Sequence, residues 1–126
     1  MMRLLLDTHI VCWHFYGPRN LPKEARQLMM DAEAVLVSSA SIWEMAIKVR
    51  IGKMNANPRR VVQFMEAAGF KELPVFSRHT VLVSELPMHH SDPFDRLLIA
   101  QAMTEPLHLL TVDAQLRQYS ELVIPV

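Results

Sequence analysis

Four carboxylates in this chain stand where short apolar runs give out. Asp7 closes the run Leu4-Leu5-Leu6, and Asp113 closes His108-Leu109-Leu110-Thr111-Val112. Glu44 follows Val35-Leu36-Val37 across a serine-rich turn, and Asp95 sits within HHSDPFDRLLIAQA. Carboxylates gathered together raise one another's proton affinity unless a cation lies among them. Such a set suits a divalent metal, and hard oxygen ligands suit magnesium or manganese better than zinc. The histidines lack the spacing of a zinc site. His9 reads equally well as facing the site or packing in a short helix, and His89-His90 reads as a solvated loop pair that can also contact nucleic acid.

Each acid also has a purely structural reading. Asp7 can cap the helix that follows it, with Thr8 as the hydroxyl alternative. Ser41-Ile42-Trp43-Glu44 fits a capping box, and Lys48 lies one turn on from Glu44. Asp92 before Pro93 is a strong N-cap arrangement, which leaves Asp95 in the first helical turn, where the helix dipole favours it. Asp92 is therefore assigned mainly to capping, beside the site. Asp113 can cap a short helix from Ala114, and Thr111 can hydrogen-bond a carboxylate or a phosphate. Arg50, Lys53, Arg59 and Arg60 read as a solvated basic face, as does Arg96; phosphate contact is the alternative. Trp13, Phe15 and Tyr16 read as mostly core, with base stacking as the alternative.

Short apolar runs alternate with helical patterns along the whole chain. Strands are expected at Arg3–Asp7, Val35–Ser38, Lys71–Val75, His108–Val112 and Leu122–Val126. Helices are expected at Thr8–Tyr16, Pro22–Glu33, Ser41–Ile51, Pro58–Ala68, Arg78–Leu86, Pro93–Thr104 and Ala114–Tyr119. Gly52 and Gly69 supply two of the stops. Continuous apolar strands separated by helices imply a parallel sheet covered on both faces. The fold class is thus α/β: a three-layer sandwich with a short, mainly parallel central sheet. Such sheets bind ligands outside the carboxyl ends of their strands, where Asp7 and Asp113 fall.

The 126 residues suit one domain spanning 1–126, with 51% apolar and 21% charged residues. A net charge of zero offers no broad basic footprint for nucleic acid, so any such binding must use local patches. The one cysteine, Cys12, excludes an internal disulfide and fits a reducing cytosol, so a cytoplasmic location is expected. No run approaches the length of a membrane span, and no membrane association is expected.

LLLDTHI, SSASIWEMAIK, DPFDRLLIAQA and LLTVDAQL, in that order, resemble the PIN-domain ribonucleases, and among them the VapC-type toxins of toxin–antitoxin modules. The resemblance spans nearly the whole chain. It implies a Mg2+- or Mn2+-dependent endoribonuclease whose acids map onto Asp7, Glu44, Asp95 and Asp113, as catalytic residues and metal ligands. Thr8 matches the small polar residue that follows the first acid. It also implies an RNA substrate cut to 5′-phosphate and 3′-hydroxyl ends, a homodimer, and a VapB-like antitoxin whose tail fills an apolar groove. The alternatives are a nuclease acting on DNA or RNA in repair or processing, and a catalytically silent binding module. A phosphatase of the haloacid dehalogenase class would need an acid where this chain has His9.

Overall fold

The structure is a computed structural model, and it describes residues 2–126. Its centre is a five-stranded, wholly parallel sheet in the order β3-β2-β1-β4-β5. The strands are β1 (Arg3–Leu6), β2 (Ala34–Ser38), β3 (Lys71–Leu73), β4 (His108–Thr111) and β5 (Val123–Pro125). Between them run α1 (Thr8–Tyr16), α2 (Lys23–Asp31), α3 (Ser39–Arg50), α4 (Pro58–Ala67), α5 (Ser77–Glu85) and α6 (Pro93–Thr104). Two short 3-10 turns, Pro18–Asn20 and Ala114–Gln118, complete the chain.

Alternate side chains of the inner strands β1, β2 and β4 enter opposite apolar layers. Leu4, Leu6, Val35, Val37 and Leu110 pack with Ile10 and Val11 of α1, Met29 of α2, Met45 of α3 and Met65 of α4. Leu5, Leu36 and Leu109 face the other way, onto Leu98, Ile99 and Ala102 of α6 and Leu86. Two-sided burial explains why these strands read as unbroken apolar runs rather than as alternation. Leu5 pairs with Leu36 on one side and Leu109 on the other, so β1 is the most enclosed strand.

Local chemistry sets the element ends. Gly52 and Gly69 take φ of +77° and +78°, which a side chain would oppose. The amides just beyond them reach back, Lys53 N to Lys48 O at 2.8 Å and Phe70 N to Met65 O at 2.9 Å, closing α3 and α4. The sequence places the start of α3 at Ser41; the helix instead begins at Ser39. The Ser38 hydroxyl accepts the Ala40 amide at 3.0 Å, so capping is complete before Ser41 is reached. The Ser41–Glu44 capping box therefore does not form. Pro22 stands before the first turn of α2 rather than in it. The expected helix at Ala114–Tyr119 is the 3-10 turn Ala114–Gln118.

The chain leaves β1 to build β2 and β3 on one side, then returns to build β4 and β5 on the other. The carboxyl ends of β1 and β4 thus flank the point where the strand order reverses. In open parallel sheets this is where loops diverge and a crevice opens.

Candidate functional site

Asp7 follows β1 at this crevice, and its amide bonds Leu110 O of β4 at 2.9 Å. The residue is only 2% exposed. Burial of a carboxylate demands donors, and three are supplied. Oδ1 accepts the amides of His9 at 2.7 Å and Ile10 at 3.3 Å, capping α1; Oδ2 accepts the Thr111 hydroxyl at 2.5 Å. Asp7 is thus both a helix cap and a rigid carboxylate in the crevice. Thr111 ends β4 and also accepts the Asp113 amide at 3.0 Å, which ties the first acid to the last.

Glu44 projects from α3 and is buried. Its Oε2 meets Lys48 Nζ at 2.8 Å, the helical pairing that the spacing suggests. That contact raises the proton affinity of Lys48. Its Oε1 is buried with no hydrogen-bond partner among the described residues. Thr8, also buried, donates to Ser41 Oγ at 2.9 Å, locking the start of α1 to that of α3.

Asp92 caps α6, accepting the amides of Phe94 at 2.8 Å and Asp95 at 3.0 Å. That bond fixes the backbone of Asp95 in the first turn. Burial raises the Asp95 carboxyl from an ordinary 3.8 to about 7. The negative charges of Asp92, Asp7 and Glu44 push in the same direction, and His90 partly opposes them. Three acids, from the end of β1, from α3 and from the cap of α6, therefore act on the titration of a fourth. Asp113 lies across the crevice, with Oδ1 capping the 3-10 turn at Gln115 N, 2.9 Å away, and Oδ2 at 2.9 Å from His90 Nε2.

His90, read from the sequence as a solvated loop residue, instead sits among the acids. Ligating atoms of His90, Asp95 and Asp113 all lie within 4.8 Å of one another. The available signal was its place two residues before a capping Asp-Pro pair, where a ring nitrogen can meet the cap's amide. Nδ1 does accept Asp92 N, at 3.1 Å.

Arg96 departs from expectation in the other direction. It is buried, neither on a solvated face nor free to meet a phosphate. Its guanidinium donates to the carbonyls of Val83 and Pro87, both at 2.9 Å, and to the Tyr119 hydroxyl at 3.1 Å. Arg50, Lys53, Arg59 and Arg60 are exposed. Phe15 packs against Phe64 and Phe70, while the Tyr16 hydroxyl meets the backbone of Asn57. The Cys12 thiol is pushed up to about 11, first by burial and then by Glu44, and so stays protonated and inert.

The donor set fits a hard divalent cation. It is almost all carboxylate oxygen, one buried oxygen of Glu44 lacks a donor, and burial with neighbouring negative charge raises the Asp95 carboxyl, which a cation would reverse.

A family model for the PIN domain matches residues 4–122. The chain belongs to the PIN domain family. The PIN chain is similar to Ribonuclease VapC22 of Mycobacterium tuberculosis (strain ATCC 25618 / H37Rv), at 27% identity over 125 residues, covering 94% of this chain and 93% of that one. The resemblance read from the sequence, to PIN domains and among them the VapC kind, is what these matches find. Solved structures share the PIN fold. VapBC2 from Rickettsia felis, solved bound to a DNA fragment from its promoter, matches with a TM-score of 0.72 at 16% identity, covering 99% of this chain and 98% of that one. A toxin–antitoxin complex from Klebsiella pneumoniae matches with a TM-score of 0.63 at 20% identity, covering 96% of this chain and 95% of that one. No helix among the described residues is long and apolar enough to cross a membrane.

Proposed function

We propose that this PIN-domain chain is a metal-dependent endoribonuclease, the toxin of a toxin–antitoxin pair, that hydrolyses RNA phosphodiester bonds to 5′-phosphate and 3′-hydroxyl ends. The observation that supports the reading is that Asp7 and Glu44 act on the raised Asp95 carboxyl, Asp95 and Asp113 offer ligating atoms within 4.8 Å of each other, and Glu44 Oε1 lacks a donor. Similarity to a protein named as a ribonuclease supports the substrate class. The toxin–antitoxin complexes among the structural neighbours support a VapB-like partner.

Asp7, Glu44, Asp95 and Asp113 would hold Mg2+ or Mn2+. A bound divalent ion would supply an acidified water and neutralise charge at the attacked phosphate. Asp7 contributes rigidity: three donors fix both its oxygens, so one acceptor site, on Oδ2, remains for a cation. A bound cation would lower the raised Asp95 proton affinity, so that Asp95 would serve as a full carboxylate at neutral pH. Lys48 takes one oxygen of Glu44 and leaves the other free. Thr111 and Asp92 act by orientation, the first on Asp7 and Asp113, the second on the turn that carries Asp95. Thr8 fixes the helix starts. The chain works as a homodimer in the cytoplasm.

Digestion of total RNA and of single- and double-stranded DNA in parallel, with Mg2+ and with chelator, tests the reading. Chelator-sensitive cuts confined to RNA, with 5′-phosphate ends, are expected. Equal cutting of DNA would move the assignment to a repair nuclease, and no cutting at all would leave a silent binding module.

A further inference from the structure

His90 sits on the loop between α5 and α6, and its ring bridges two structural units that carry acids. Nδ1 accepts the Asp92 amide at 3.1 Å. An accepting Nδ1 places the hydrogen of the neutral ring on Nε2. Nε2–H therefore donates to Asp113 Oδ2 at 2.9 Å, and it stands 3.9 Å from Asp95 Oδ2. With a hydrogen on Nε2 and a donor on Nδ1, neither nitrogen has a lone pair to give a metal. The ring is a bridge rather than a ligand.

The bridge is itself held. The His90 amide donates to the Tyr119 hydroxyl at 2.9 Å. The same hydroxyl takes the Arg96 guanidinium at 3.1 Å. Arg96 also gathers the carbonyls of Val83 and Pro87, at the end of α5 and the start of the loop. A buried guanidinium with no carboxylate partner is costly. Spending its donors on carbonyls is an arrangement that sets loop geometry.

We propose that His90 is a positioning residue of the acid site, held by Tyr119 and Arg96. Its Nε2–H orients Asp113, while its Nδ1 fixes the turn into α6 from which Asp95 projects. The β4 side of the crevice and the α6 side are thereby set at a fixed separation before any cation arrives. The inference rests on the metal-site reading above. It adds that the separation of Asp95 and Asp113 is imposed by an imidazole outside the ligand set.

The test is Mn2+ binding to the purified chain, followed by calorimetry with the metal alone, in wild type, His90→Phe, His90→Gln and Tyr119→Phe. Phenylalanine keeps the ring and removes both polar contacts. Glutamine keeps a donor with reach towards Asp113. Partners that orient metal ligands are commonly worth ten- to a hundredfold in affinity, so His90→Phe is expected to bind about tenfold or more weakly. His90→Gln should recover most of that loss, and Tyr119→Phe should fall between wild type and His90→Phe. The proposal is overturned if His90→Phe binds within about twofold of wild type, or if His90→Gln is as weak as His90→Phe, since the ring is then indifferent or a mere spacer. If wild type binds no Mn2+, the metal reading falls and this proposal with it. If wild type binds and the variants match it, this proposal alone falls.

Discussion

Asp95 shows how one residue can report on the whole site. Its carboxyl rises from 3.8 to about 7 in the folded chain without metal, through burial first and the neighbouring acids second. A folded value above the unfolded one means that the native state holds the extra proton. Its contribution is therefore fully present below pH 3.8 and is lost as pH rises through about 7. In chelator, Asp95→Asn should be the more stable protein near pH 8, with the gap closing towards pH 4; urea unfolding across pH measures it. A gap that does not change with pH would show that Asp95 is not raised. Asp7→Asn keeps an acceptor for the α1 cap, so it should lose all cleavage while destabilising the fold by only ~1 kcal/mol, read from cleavage and unfolding assays together. The sequence showed Asp7, Asp95 and Asp113 as residues ending apolar runs or opening a helix, because type and position suffice there. It did not show His90, whose role exists only once the loop folds back to bring Nδ1 onto the Asp92 amide.

At the scale of elements, α6 and the loop before it do the positioning. Arg96 is the example to test. Arg96→Lys keeps the charge but loses the fork that gathers Val83 O, Pro87 O and Tyr119. Stability should fall by about 2 kcal/mol, whereas the salt dependence of RNA binding should not change; a variant that is stable but binds RNA less steeply would restore the phosphate-contact reading. Helix α3 explains why some of the sequence misled. Ser38, Ser39 and Ser41 all have capping chemistry, and the pattern Ser41–Glu44 looks complete by itself. In the fold Ser38 caps the helix, Ser41 accepts the Thr8 hydroxyl, and Glu44 pairs with Lys48. The strand sequence was plainer, because burial on both faces leaves one signature, an unbroken apolar run.

For the molecule as a whole, the strand order β3-β2-β1-β4-β5 turns residues more than a hundred positions apart into neighbours across β1 and β4. Acids that meet there oppose folding electrostatically, and on the proposed reading a bound cation would relieve that repulsion and couple metal to fold. Mg2+ at about ten times its dissociation constant should add ~1.4 kcal/mol and raise Tm by a few degrees; chelator should reverse the shift. No shift, with no heat of binding, would count against a shared site. The central claim is that these acids form a centre for cutting RNA. Its most direct test is end mapping of RNA incubated with wild type and with Asp95→Asn, in Mg2+. The account predicts discrete cuts with 5′-phosphate and 3′-hydroxyl ends in wild type and none in the variant. Cleavage that persists in Asp95→Asn, or in chelator, would contradict it.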